Sequence, residues 1–529
     1  MPMPILARWR NFWQNKGLIL SLATLVALRA PHAGRQKPVV FFNASTRLGG
    51  TSLNAGFAQV TAWALRMTGV PVVHFVCKAG MSRCVLGSDA DHPGQVPPCR
   101  ACVRQSRFLN FGAGAHYFSY QRDEVLAKAI QDLSVDELTR VSHEGLPLGE
   151  LVLPSLRWRM RVFHLEDNET TRLFYREFIL SAWNVGVNFT QLLNQADPRA
   201  VVIFNGQFFP EAVAAYLARQ KGIRTVTHEV GMQPLSAFFT PGEATSYPIA
   251  IPASFELRKG QASRLDQYLE QRFQGKFIMA GIQFWPEMKG LDGDFLKKAE
   301  GFRQIVPVFT NVVFDTSQKH ANGTFPDMFV WLDLLLEVIR AHPETLFVLR
   351  AHPDESRSGK ASRESVAMWV ERNRVDQLQN VVFISPDEYI SSYELIQRAK
   401  FVMIYNSTIG LEASIMGKPV LAAGKPRYIQ HPTVFFPNSP ADYRQQLESL
   451  INTESIPVPA EFKRNARIFM YFQMFRTSLP FGEFLEASSQ RGYVRFKAGV
   501  LRHLDAKRSP TLKTILNGIL QDGDFMLEE

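Results

Sequence analysis

Phe401-Val-Met-Ile-Tyr-Asn-Ser-Thr-Ile-Gly-Leu-Glu-Ala-Ser-Ile-Met-Gly-Lys-Pro-Val420 decides how the chain is read. Its apolar start, Phe401–Tyr405, has the length and composition of a strand buried on both faces of a parallel sheet. The run breaks at Asn406-Ser407-Thr408, where a helix is expected to begin. Hydroxyl side chains and unpaired backbone N–H groups at a helix start suit an anion. Glu412, one turn further on, is placed to meet sugar hydroxyls and would repel a phosphate. Gly417-Lys-Pro-Val420 closes the helix and opens the next strand, Val420–Ala423.

Upstream, Leu346-Phe-Val-Leu-Arg-Ala-His-Pro-Asp-Glu355 reads as a strand running into a charged loop. Arg350 and His352 fall at its carboxyl end, where open parallel sheets bind ligands. An arginine fork matches phosphate oxygens, and a protonated His352 would donate to a leaving phosphate oxygen. Further back, Val39–Asn43 reads as a strand, followed by a small-residue loop, Ala44–Ser52, and a helix over Leu53–Met67. Strand Val72–Val76 completes a β–loop–α–β opening. Residues 107–195 are mostly helical in pattern. Strand Ala200–Phe204, helix Pro210–Gln220 and a strand ending at His228-Glu229 form a second such unit. Residues 232–300 read as a mixed connector, and Pro307–Val312 begins a second strand series.

The expected class is therefore α/β, with two Rossmann-like doubly wound halves facing a cleft. The expected divisions are an amphipathic or hydrophobic segment over 1–34, a first domain over 35–300, a second over 301–465, and helices over 466–529.

The chain has 529 residues, enough for large cores, with 46% hydrophobic and 20% charged residues and a formal charge of +10. Excess positive charge favours anionic partners. The basic residues are scattered, without a basic helix or stacking motif, which speaks against nucleic acid. Leu18–Leu28 is too short for an ordinary transmembrane span of roughly 20 residues. A cleaved signal peptide is one reading of the N-terminus. Two others are an interfacial helix built on Arg8, Trp9, Arg10, Phe12, Trp13 and Lys16, giving peripheral membrane contact through residues 1–30, or a helix packed on the protein body.

Cys77, Cys84, Cys99 and Cys102 are all the cysteines of the chain. Four thiolates within a short insertion, 77–102, suit tetrahedral zinc in a structural role, and Cys99-Arg-Ala-Cys102 has a usual zinc spacing. An iron–sulfur cluster would use the same ligands. Two disulfides would require an oxidising compartment, and the plainest alternative is four buried free thiols.

His352-Pro353 after a strand, with Asn406-Ser-Thr408 further on, resembles the HP and S-S/T motifs of GT-B glycosyltransferases that use cytidine nucleotides. These include bacterial sialyltransferases, Kdo transferases and polyol-phosphate transferases. Phe309–Asp315, Arg350–Glu355, Ser391–Tyr393, Tyr405–Glu412 and Gly417–Val420 resemble the capsule polysaccharide biosynthesis proteins. The Ser-Thr-x-Gly-x-Glu-Ala run also resembles the nucleotide site of UDP-sugar 2-epimerases. The resemblance covers mainly residues 305–435. It implies a bacterial glycosyltransferase that moves a sugar from a nucleotide-sugar donor to a glycan or lipid-linked acceptor. It would work in the cytoplasm or at the inner face of the membrane, without a catalytic metal. Ser407, Thr408 and Gly410 would belong to the donor site, with Arg350, Glu412, Asn311 and Asp315. His352 would stabilise the leaving phosphate. The family's acidic D/E-D/E-G motif has no clear copy in the first half, and Asp292-Gly293 is a poor substitute. Candidates for the base are Glu211, His228 and Glu229. Alternatives are a sugar-nucleotide 2-epimerase, a polyol-phosphate transferase, or a non-catalytic scaffold of a polysaccharide-synthesis complex.

Overall fold

The computed structural model of the protein describes residues 16–32, 34–44, 50–275, 289–357, 361–489 and 492–529. In the first half, strands β1 (Val39–Asn43), β2 (Val72–Cys77), β3 (Gly114–Phe118), β4 (Ala200–Phe204) and β5 (Arg224–Val230) run parallel in one sheet. Strand β6 (Ser236–Thr240) turns back antiparallel on β5. A parallel sheet must be covered on both faces. Helix Leu53–Met67 covers one, held at its start by the Ser52 side chain, which accepts from the Ala55 N–H at 3.2 Å. The 28-residue helix Glu169–Ala196 lies over the other, and its Phe189 ring meets Phe42 and Phe75 edge-on at 5.2 and 5.1 Å.

The second half holds an all-parallel sheet of β7 (Gln304–Phe309), β8 (Thr345–Arg350), β9 (Val381–Ile384), β10 (Val402–Ile404) and β11 (Val420–Ala422), in the order β9-β8-β7-β10-β11. Asp327 caps helix Met328–Ala341, which buries Trp331, Leu332 and Leu335 on one face of the sheet. Helices Ile409–Ile415 and Ala460–Tyr471 pack on the opposite face. Leu265 and Leu269 of helix Lys259–Phe273 join that same core, well ahead of the divide expected at residue 300.

After Ala460–Tyr471 the chain returns. Strand β12 (Leu479–Pro480) pairs antiparallel with β6, giving the first sheet the order β12-β6-β5-β4-β1-β2-β3. Helix Pro510–Leu520 buries Leu512 and Ile515 in the core that also holds Phe57 and Trp63.

Two strands fall in tracts that read otherwise in the sequence. β3 lies in the region read as mostly helical, and β6 in the region read as a connector. β3 is an edge strand whose residues are partly exposed, so it carries little apolar signal. Helix Leu18–Arg29 buries Ile19, Leu22, Ala23 and Val26 in the first core, so this segment is packed on the protein body. Arg8, Trp9, Arg10, Phe12 and Trp13 lie outside the described residues. Among the described residues no helix is long and apolar enough to cross a membrane.

Candidate functional site

The carboxyl ends of β7, β8, β10 and β11 send their loops to one place, as expected of an open parallel sheet. Asn311 and Asp315 follow β7, His352 follows β8, Asn406–Thr408 follow β10, and Lys425–Arg427 follow β11. These residues line a pocket of about 560 Å³, together with Thr245, Ser246 and Pro248. Asn311 ties two of the loops together, its Oδ1 accepting from the Asn406 N–H at 3.2 Å. Tyr428 holds a third by donating its hydroxyl to the Ser407 carbonyl at 2.8 Å. Helix Ile409–Ile415 has seven residues, and the Thr408 side chain makes no capping bond to it.

Charge reaches the pocket from side chains the sequence reading did not single out. Lys425 lines it, as does Arg427, whose guanidinium lies 4.1 Å over the Tyr247 ring. Arg427 Nη1 and Asn406 Oδ1 are buried without a hydrogen-bond partner among the described residues. Buried polar atoms are rarely left so, and a polar anionic ligand bearing a hydroxyl would satisfy both. Lys425 and Arg427 sit just past a strand end, so the strand-end rule was the signal that would have found them. His320 also lines the pocket, within 2.8 Å of Thr245 Oγ1 and 3.2 Å of Glu243.

His352 accepts the Asp354 N–H on Nδ1 at 3.1 Å, an assignment that leaves the proton on Nε2. Burial lowers its pKa, opposed by Asp354 and Asp315. The ring is therefore a neutral Nε2–H donor rather than the expected imidazolium.

Three residues assigned to the donor site lie behind the pocket wall. Arg350, 4% exposed, donates from Nη1 to the Ile390 carbonyl at 2.7 Å, and burial lowers its pKa to about 10. Glu412, 1% exposed, pairs with Arg272 at 2.6 Å and accepts from the Tyr393 hydroxyl at 2.5 Å. Gly410 is a packing position: a Cβ there would lie 2.3 Å from the Tyr428 hydroxyl and 2.6 Å from Ile404 Cδ1.

A second cavity, of about 860 Å³, opens beside the first and shares Asp315 with it. Trp158, Phe208, Leu235 and Tyr493 give it apolar walls, and Glu211 and Glu229 contribute carboxylates. Glu229 is held by Asn205 Nδ2 at 2.7 Å and by the Val230 N–H at 2.9 Å. Asn205 adopts φ 60°, which asparagine tolerates better than most residues, and Gly206 follows at φ 84°. His228, one residue before Glu229, points to the opposite face of the sheet, as strand alternation requires. It stacks on Phe239 at 5.1 Å, burial drives its pKa to about 3, and it lines neither cavity. Asp292 caps helix Gly293–Ala299, accepting from the Phe295 N–H at 2.8 Å.

All four cysteines line the larger cavity. They are free thiols, and no three His, Cys, Asp or Glu side chains among the described residues are gathered to hold a metal ion. Burial pushes Cys77 up to about 12 and Cys84 to about 11, and the neighbouring cysteines push the same way.

Two α/β halves built on largely parallel sheets, with a polar pocket at the strand ends of the second, define the protein's class. Residues 277–432 match the family described as capsule polysaccharide biosynthesis protein. The chain is 26% identical over 320 residues to Protein FixF of Sinorhizobium fredii, covering 57% of this chain and 67% of that protein. Among solved structures, a beta Kdo 2,4 transferase, KpsC of Thermosulfurimonas dismutans, is 13% identical at a TM-score of 0.37, covering 58% of this chain and 87% of that one. UDP-GlcNAc 2-epimerase from Neisseria meningitidis, bound to UDP-GlcNAc, is 11% identical at a TM-score of 0.23, covering 82% and 97%.

Proposed function

We propose that the chain is a glycosyltransferase of the GT-B arrangement that works in the synthesis of a surface or capsular polysaccharide. The smaller pocket takes a sugar activated as a nucleotide ester, and the larger cavity takes the acceptor. One observation carries the reading: Asp315 borders both spaces, so a donor and an acceptor would meet there. An acceptor hydroxyl attacks the anomeric carbon as the bond from that carbon to the phosphate oxygen breaks. The hydroxyl proton passes to a carboxylate, with Asp315, Glu229 and Glu211 bordering the acceptor space. The negative charge that collects on the departing phosphate is met by Lys425, Arg427, the Ser407 and Thr408 hydroxyls and the Nε2–H of His352. A 2-epimerase acts on one bound sugar and needs no acceptor space, so the second cavity favours transfer.

Calorimetry of CMP, CDP, UDP, GDP and dTDP against the wild type and Ser407→Ala/Thr408→Ala tests this. Selective binding lost in the variant supports the donor site. Absence of binding to all five would overturn the enzyme reading in favour of a non-catalytic scaffold.

A further inference from the structure

Twenty-one residues, 78–98, separate β2 from helix Cys99–Leu109, and no helix or strand lies among them. Stretches this long without secondary structure are uncommon inside a packed unit unless something else fixes them. This one begins with the same turn twice. In Cys77-Lys-Ala-Gly80 the Gly80 N–H donates back to Cys77 Sγ at 3.2 Å, and in Cys84-Val-Leu-Gly87 the Gly87 N–H donates to Cys84 Sγ at 3.3 Å. Both glycines are demanded by space. A Cβ on Gly80 would lie 2.2 Å from the Phe118 ring, and one on Gly87 would lie 2.8 Å from Pro97 Cβ and 3.0 Å from Cys84 Sγ.

Backbone N–H groups aimed at sulfur stabilise the thiolate over the thiol, as outer partners of metal-bound cysteines do. Cys99 and Cys102 occupy the first turn of their helix, directly after Pro97-Pro98. The four sulfurs border one cavity. As they stand, no three are close enough to ligate one ion. Met81, Val85 and Ala90 pack the loop on the core, and Ser82 meets Ser181 Oγ at 3.1 Å.

We infer that Cys77, Cys84, Cys99 and Cys102 form a tetrathiolate site for one zinc ion, which draws residues 78–98 into a fixed wall of the larger cavity. Each thiol gives up its proton as the ion binds. Loading also sets the position of Asp89 and Asp91. Asp89 meets Arg159 at 3.6 Å and Asp91 meets Arg161 at 3.1 Å, and Asp91 also pairs with Arg363 of the second half. The loop thus couples the cavity wall to both halves of the protein.

The test is elemental analysis of the full chain purified without chelator, beside intact mass and limited proteolysis. One zinc per chain is expected, lost in Cys99→Ser/Cys102→Ser. In the wild type, stripping the ion with a strong chelator should speed cleavage within 78–98 by about tenfold or more, and added zinc should restore protection. The second readout needs no variant and stands if the double substitution fails to fold. Protein free of zinc whose loop is already protected would overturn the proposal. So would iron with inorganic sulfide, or a mass short by the hydrogens of two disulfides.

Discussion

Arg272 and Glu412, 140 positions apart in sequence, meet in the interior with Nη2 donating to Oε1 at 2.6 Å and side-chain exposures of 6% and 2%. The pair joins helix Lys259–Phe273 to the helix that follows the Ser407-Thr408 turn. Tyr268 accepts from Arg272 at 2.8 Å and Tyr393 donates to Glu412, so the charges are enclosed by hydrogen bonds. Removing one partner of such a pair costs about 3–5 kcal/mol, because the other charge is left buried. Glu412→Ala should destabilise the fold by that amount in chemical denaturation. Arg272→Met/Glu412→Leu should recover much of the loss. A Glu412→Ala protein of normal stability that no longer binds nucleotide would instead make the carboxylate a ligand group.

His352→Ala should lower kcat by about 100-fold or more, while donor affinity measured by calorimetry changes much less. A donor hydrogen bond that strengthens on the leaving oxygen acts in the transition state more than in the ground state. Equal losses in kcat and in affinity would reduce His352 to a binding residue.

Lys425→Met and Arg427→Met should each weaken nucleotide binding by about tenfold, or about 1.4 kcal/mol. The effect should grow as salt is lowered. Unchanged affinity in both would place the phosphate elsewhere.

Among the carboxylates, Asp315→Asn and Glu229→Gln are to be compared by turnover at saturating donor. The residue that acts as base should lose about 10²–10⁴-fold in kcat, with donor affinity retained. Full activity in both would pass the role to Glu211.

His164 lies between Glu364 at 2.5 Å and Asp327 at 3.3 Å, joining the two halves, and its hydrogen bonds to Asp327 and Glu364 raise its pKa to about 10. A raised histidine pKa stabilises the fold fully below its unfolded value of about 6.5, and that contribution fades as pH climbs toward 10. The Tm gap between wild type and His164→Gln should therefore be largest near pH 6 and should close by about pH 10. The side chain is half-exposed, so solvent screening keeps the gap small. A gap that widens with pH would contradict this account.

The second sheet was legible because buried parallel strands are written as unbroken apolar runs, such as Leu346–Leu349 and Phe401–Tyr405. The loops at their carboxyl ends could be named from the same rule, and Asn311, Asp315, His352, Ser407 and Thr408 line one pocket. What the rule does not supply is side-chain direction. Arg350 ends its strand but turns away to Ile390, and Glu412 falls on the inner side of a short helix. His228 and Glu229 are neighbours in sequence and lie on opposite faces. The partners that turn Arg350 and Glu412 inward, Ile390 and Arg272, are 40 and 140 positions away. Local pattern does not carry contacts at that range.

The path of the main chain has a mechanical result. Among the described residues it enters the second half before Lys259–Phe273 and leaves it after Ala460–Tyr471, so two covalent strands bridge the halves. A single tether lets two bodies swivel about it, whereas a double one suppresses torsion and leaves bending as the soft motion. Topologically the second half is a module spliced into the first. A fragment spanning both crossings is therefore the piece to excise, graft or exchange between relatives, since any cut at a single midpoint would sever one of the two bodies.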